Sequence, residues 1–371
     1  MKILEIGPSE TGARGGMAEV IRDIRKSGSL RREFEIDSFA SYIDGSLPVR
    51  LLYSLYGYLR FLTCYRNYDL FHIHTAERGS TFRKNFYLRT VMRSGKKAIV
   101  HIHGAEYLTF YDGLDSGKKA IVERFFGRAD LVLALSESWK RELECRFSMN
   151  ACGTLYNGVD PARFRPAVSD PVKRRNSFLM LGRLGQRKGT YDLIAAVEQA
   201  VRHNPELVVC MAGDGEVEKV RALVKKKGLE KNILVPGWID EAEKMHRLRE
   251  AATVVLPSYH EGLPMAILEG MAAGKAIIST PVGAIQEVIG EENGILVKPG
   301  DVVALAKALL WYSGNTEALV RVSANNVKRA EEVFSIRRTH ETLAKYYRQV
   351  MEEGEQDGAE ETADQCDRAC V

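Results

Sequence analysis

The sequence predicts an α/β protein built from two doubly wound parallel sheets in series. Three observations carry this. Short, fully apolar runs alternate with helical patterns, a proline- and charge-rich break divides the alternation in mid-chain, and 371 residues are too many for one typical core.

In chain order, a strand at 2–6 leads through a glycine-containing loop, 7–16, into an amphipathic helix from Met17 to about Lys26. Further strands are expected at 34–38, 70–73, 98–102 and 131–134, with helical patterns at 51–65 and 83–93 between them. Ser136 caps another helix, with Trp139 and Leu143 on one face. Pro161, Pro166, Pro171 and the run Lys173-Arg174-Arg175 then break the pattern, which divides a first domain, 1–165, from a second, 166–333. The second domain has expected strands at 178–181, 207–211, 233–235, 253–256, 276–279 and 295–297. A helix covers 334–351. The segment 352–371, rich in Glu, Asp and Gln, is expected to be a disordered acidic tail.

The composition is that of an ordinary soluble protein, 45% hydrophobic and 27% charged, and a net charge of +4 argues against a dedicated nucleic-acid binder. Cys64, Cys145, Cys152, Cys210, Cys366 and Cys370 have no CxxC spacing, so neither a disulfide framework nor a metal site is expected, and reduced, cytoplasmic thiols are the simplest reading. No signal-peptide core follows Met1-Lys2, and no apolar run is long enough to span a bilayer.

Chemistry concentrates where strands end. The run 253–256 is followed by a loop with Glu261 and Gly262, then Pro264 at a helix start and Glu269 a turn and a half later. Helix-start N–H groups can hold a phosphate or sugar oxygen, and Ala266, Gly270 and Ala273 leave room for close approach beside Glu269. A solvated carboxylate on an ordinary helix is the alternative. After the strand at 178–181, Arg183 and Lys188 flank a loop opening a helix, where a guanidinium and an ammonium suit a departing diphosphate.

Gly213-Asp214-Gly215-Glu216 reads as a turn with a helix cap, or else as an acidic pair for a metal diphosphate; no Asp cluster for Mg²⁺ stands elsewhere. In the first domain, Gly15 and Gly16 allow backbone amides to approach a phosphate, without forming a GxGxxG fingerprint. His103, at the end of the strand 98–102, is the candidate to bond a substrate hydroxyl, with Gly104 allowing close approach. His72, His74 and His101 read as structural.

Taken in order, Gly15-Gly16, His103-Gly104, Ala129-Asp130 to Ser136, Tyr156–Asp160, Gly182-Arg183-Leu184, Lys188-Gly189, Gly213-Asp214-Gly215, the Glu261–Glu269 element and Gly283–Glu287 resemble the glycosyltransferases of family 4. The resemblance covers nearly the whole chain except the tail. It implies the GT-B fold, two Rossmann-like domains facing across a cleft with the helix 334–351 returning to the first. It also implies a nucleotide-sugar donor, transfer with retained anomeric configuration, and no metal or other cofactor.

By the same resemblance Arg183 and Lys188 bind the donor diphosphate, Glu269 binds the ribose hydroxyls, and Glu261 with the backbone of Gly262, Leu263, Pro264 and Met265 contacts the sugar. His103 lies beside that sugar, Gly16 touches the phosphates or the acceptor side, and Gly15, Gly182 and Gly213 line the donor site. Leu263-Pro264-Met265 departs from the commoner Phe-Gly-Leu continuation, and Ala284 stands where a second Gly is frequent.

The expected activity is hexose transfer from a UDP-sugar, or next a GDP-sugar, to a carbohydrate or lipid-linked glycan in bacterial polysaccharide or glycolipid synthesis. A nucleotide-sugar isomerase and a non-catalytic sugar-nucleotide-binding protein are the rivals; a nicotinamide oxidoreductase is disfavoured by the missing glycine fingerprint. The apolar, aromatic segment 51–62 and the basic residues Arg83, Lys84, Arg89, Arg93, Lys96 and Lys97 suggest peripheral binding to an anionic membrane; an internal helix with a solvated basic face is the other reading.

Overall fold

The computed structural model describes residues 1–10 and 16–368, with side chains through residue 352. The chain divides into two compact units, one made of Met1–Tyr156 and the chain from Arg337 onward, the other of Asn157–Ile336.

The first unit holds a parallel sheet of β1 (Lys2–Pro8), β2 (Glu35–Tyr42), β3 (Leu70–Thr75), β4 (Lys97–Ile102), β5 (Leu131–Ala134) and β6 (Cys152–Thr154), in the order β2-β1-β3-β4-β5-β6. β3, β4 and β5 are short runs buried on both sides, as a sheet covered by helices on each face requires, whereas edge strand β2 exposes Glu35, Asp37 and Ser38. β6, with only three residues, has no periodicity to betray it and was not expected from the sequence. The helix beginning at Ile336 packs Leu343, Tyr347 and Val350 into the cluster of Ile3, Phe34, Ile36 and Leu133. Phe34 meets the Tyr347 ring edge-on at 5.4 Å.

The second unit repeats the plan with β7 (Ser177–Leu181), β8 (Val208–Ala212), β9 (Ile233–Gly237), β10 (Thr253–Leu256), β11 (Ala276–Ser279) and β12 (Gly294–Leu296), ordered β12-β11-β10-β7-β8-β9 and parallel. The strand order reverses between β7 and β10. In such sheets the crevice beyond the strand ends at this switch point is where ligands bind.

Two boundaries differ from the sequence reading. Residues 157–165 belong to the second unit, because Asn157 donates to the Leu263 carbonyl at 2.9 Å and Val159 exchanges backbone bonds with Phe334 and Ile336. The expected disordered tail is instead a continuation of the last helix, Ile336–Arg368. Its Glu, Gln and Ala residues are good helix formers, and a preformed helix removes the cost of nucleation. Among the described residues, no helix is long and apolar enough to cross a membrane.

Candidate active site

In the second unit, four loops meet beyond the ends of β7, β8, β10 and β11. The β7 loop is fixed to its neighbours by backbone bonds, with Leu184 N donating to Asp214 O at 2.7 Å and Tyr259 N to Arg187 O at 2.9 Å. Gly213 lets the β8 loop lie against it: a Cβ there would stand 1.9 Å from the Gly182 carbonyl oxygen. Gly283, with φ +55°, does the same for the β11 loop, since a Cβ would stand 1.9 Å from the Glu261 carbonyl oxygen.

This convergence places Lys188 Nζ 2.5 Å from Glu261 Oε1, with Ser258 Oγ donating to the same oxygen at 2.6 Å. The pair is nearly enclosed, the Lys188 and Glu261 side chains being 13% and 6% exposed. Lys188 also reaches back toward Gly182, where an added Cβ would lie 4.0 Å from its Nζ. Arg183, by contrast, is 69% exposed and holds Asp214 at 3.3 Å, a loose surface contact that an incoming anion can replace.

The helix Met265–Ala272 follows with Pro264 as its N-cap, one position earlier than a first helical residue. The amides of Met265 and Ala266 precede any internal helical acceptor. Glu269 is buried and accepts from Lys244 Nζ at 2.6 Å. Nothing in the sequence marks Lys244, which lies on the separate helix Glu241–Glu250 and reaches Glu269 only through the fold. Gly270 differs from its expected use: it faces Val254, whose Cγ2 would be 2.9 Å from an added Cβ, so its smallness serves packing on β10.

In the first unit, Gly16 starts the helix Gly16–Lys26, and Gly15 lies outside the described residues. His103 follows β4 and belongs to a stacked array. The ring centroids of His72 and His74 are 4.2 Å apart, those of His74 and His103 5.1 Å, and those of His101 and His103 4.0 Å. Alternation along β3 and β4 turns all of them to one face.

Glu5 anchors the array. Its carboxylate accepts from Tyr347 Oη at 2.6 Å, lies 3.0 Å from His72 Nδ1, and bonds His74 Nε2. Burial opposes the Glu5 charge, but His72 and His74 reverse that and hold the carboxyl well below its usual range. Burial first, and then His72, pushes His74 down to about 4, and burial with the neighbouring imidazoles pushes His101 and His103 well below 6.5.

Among the described residues, His72, His74 and His101 alone bring metal-type ligand atoms together, within 4.8 Å of one another; hydrogen bonds to Glu5, Tyr347, His103 and each other engage them, except at His101 Nε2, which is buried without a partner. Gly104 also differs from expectation. The space of its missing Cβ is taken by Glu77, whose Oε2 would be 2.0 Å away, so that glycine accommodates the protein itself.

Comparison with known proteins places this geometry. Residues 22–163 match the family model described as Glycosyltransferase Family 4, and residues 163–329 match the one described as Glycosyl transferases group 1. TuaC of Bacillus subtilis, named as a teichuronic acid biosynthesis glycosyltransferase, is 27% identical over 58% of this chain and 54% of its own length. WcaL of Escherichia coli, named as a colanic acid biosynthesis glycosyltransferase, is 29% identical over 60% and 58%. The chain thus spans a little over half the length of these relatives.

Sucrose-phosphate synthase from Thermosynechococcus elongatus superimposes with a TM-score of 0.78 at 19% identity, covering 95% of this chain and 99% of that one. Anabaena HepE, in a structure with UDP-glucose, gives a TM-score of 0.74 at 19% identity over 94% and 100%. With the two models running in series from residue 22 to 329 and the whole fold shared, the chain belongs to the family-4 glycosyltransferases of GT-B fold.

Proposed function

We propose that this protein transfers a hexose-type sugar from a nucleoside diphosphate sugar, a UDP-sugar first and a GDP-sugar next, to a carbohydrate or lipid-linked glycan, with retained anomeric configuration and without a metal. The observation that carries the reading is the gathering of Arg183, Lys188, Glu261 and Glu269 at the switch point of the second sheet. HepE, a protein of the same fold, has been crystallised with UDP-glucose, which favours uridine.

Arg183 and Lys188 take the diphosphate and offset the charge that grows on it as the bond to the anomeric carbon breaks. Electrostatics from these cations stand in for a metal ion. Glu269 accepts from the ribose hydroxyls. Glu261, with the backbone of Gly262, Leu263, Pro264 and Met265, orients the sugar, while Gly182 contributes backbone to the floor of the donor site and Gly213 lets the β8 loop close against it. His103 and Gly16 belong to the first unit, which takes the acceptor. The relatives named for polysaccharide synthesis favour a bacterial envelope glycan as product.

The test is a thermal-shift screen of UDP-, GDP- and ADP-sugars followed by an assay for nucleoside diphosphate release. Acceptor-dependent release is expected. Conversion of the donor without release assigns an isomerase, and binding without any turnover assigns a sugar-nucleotide-binding protein.

A further inference from the structure

The first unit carries a groove that the donor site does not use. One part, of about 390 Å³, opens at the end of β1 between Pro8, Gly16, Ala76 and Ser80, beside the switch point of the first sheet. The other, of about 480 Å³, runs along the helix Leu47–Cys64 and is walled by Leu47, Leu51, Leu55 and Phe86. Tyr42, Arg50, Gly79 and Arg83 line both parts, so the two form one channel with a waist.

The waist is cationic. Its described lining contains Arg50, Arg83 and, on the β1 side, Lys84, with no carboxylate. The Nε atoms of Arg50 and Arg83 are buried without a hydrogen-bond partner. Lys84 is fully buried and spends its ammonium on the Ile6 carbonyl and Ser41 Oγ, two neutral acceptors. Arginines brought together in a half-buried place without an acid repel each other and lose hydration, a cost that a bound anion removes. The first turn of the helix Gly79–Arg93 lines the same channel through Gly79 and Ser80.

The outer part is apolar, and its wall continues into solvent. Leu47, Leu51, Leu55 and Leu59 recur every four residues on one face of the helix, and Leu51 and Leu55 are 62% and 60% exposed. A stripe of this kind is unfavourable in water unless something apolar covers it.

We infer that this channel binds a phosphorylated lipid, with its phosphate or diphosphate between Arg50 and Arg83 and its hydrocarbon along Leu47, Leu51, Leu55 and Phe86. The glycan attached to that phosphate then lies toward Gly16 and the end of β1. The assignment rests on the transferase reading for its meaning, since it makes the acceptor a lipid-linked glycan rather than a free one. It also sorts the charged residues of this unit: Arg50 and Arg83 address the ligand.

The test compares farnesyl diphosphate, farnesol and inorganic diphosphate by calorimetric titration of the full chain. Farnesyl diphosphate should bind at least ~10-fold tighter than either fragment, because only it satisfies both halves of the channel. Arg50→Gln with Arg83→Gln should abolish its advantage over farnesol, whereas the Arg50→Lys, Arg83→Lys pair retains part of it. Leu51→Ser with Leu55→Ser should abolish its advantage over inorganic diphosphate. UDP binding, measured in parallel, should stay unchanged in every variant.

Equal affinity for farnesyl diphosphate and inorganic diphosphate overturns the proposal in favour of a soluble-anion site. Unchanged affinity in the arginine pair, with UDP binding intact, overturns it too. A third overturning result is flotation with phosphatidylglycerol vesicles that farnesyl diphosphate does not compete away, which assigns a bilayer-docking surface. Failure to bind any nucleotide sugar while farnesyl diphosphate still binds removes the transferase reading and leaves the channel.

Discussion

His74 Nδ1 lies 2.9 Å from His103 Nε2, and the far nitrogen of His74 is bonded to the buried Glu5 carboxylate. The consequence is a fixed tautomer chain. Glu5 can only accept, so His74 donates from Nε2, His74 Nδ1 must accept, and His103 donates from Nε2 while its Nδ1 stays an acceptor. His103 therefore presents its Nδ1 as a neutral acceptor whose orientation is set from behind. His74→Ala is expected to lower kcat by ~10-fold with little change in the KM for donor, because a supporting partner typically contributes that much. His74→Gln, which can still accept from His103, should recover part of the loss. Equal effects of both variants would mean that His74 only fills space.

The same histidines make stability depend on pH. His74 and, chiefly by burial, His340 are pushed down to about 4. In the unfolded chain each takes up its proton near 6.5, so between those values the unfolded state binds more protons and stability falls as pH is lowered. Each contributes a slope of about 1.4 kcal/mol per pH unit in that window. Thermal melts should show a progressive drop in Tm from pH 7 to pH 5, shallower in His340→Asn. A flat profile across this range contradicts the buried neutral histidines.

Lys188 and Glu261 are coupled, so their variants should separate stability from chemistry. Lys188→Ala removes the cation proposed to hold the diphosphate and strands a buried carboxylate, with turnover expected to fall ~100-fold and stability by about 3 kcal/mol. Adding Glu261→Gln should restore much of the stability and none of the turnover. Steady-state kinetics and denaturant midpoints of both variants read the two effects independently.

Glu269 is held by Lys244 at 2.6 Å, which fixes the orientation of the carboxylate. Glu269→Gln should weaken nucleotide binding ~10-fold, as loss of a charged hydrogen-bond acceptor does. Lys244→Met should act in the same direction although it is far from Glu269 in sequence. Titration with UDP measures both, and unchanged affinity in Glu269→Gln removes the ribose assignment.

Gly283→Ala tests how the loops converge. A Cβ there falls 1.9 Å from the Glu261 carbonyl oxygen at a positive φ, so the Glu261 segment must shift. The variant should fold, with a Tm several degrees lower, and lose most turnover. Full activity would show that the Glu261 loop tolerates displacement.

The sequence by itself determined the class of the fold and singled out the residues proposed for the donor site. Apolar runs at 98–102 and 253–256 become strands whatever surrounds them, because their only stable place is a sheet buried on both faces. Arg183, Lys188, Glu261 and Glu269 were legible because glycines and strand ends mark them locally.

What only the tertiary structure decided was partnership, since ion pairs, tautomers and grooves join residues that are distant in the chain. Nothing near Glu269 announces Lys244, and nothing near His74 announces Glu5 or Tyr347, the latter 342 positions from Glu5. Local pattern also misassigned Gly104 and Gly270 to ligand approach: a missing Cβ has the same signature whether the space goes to a ligand or, as here, to Glu77 and Val254.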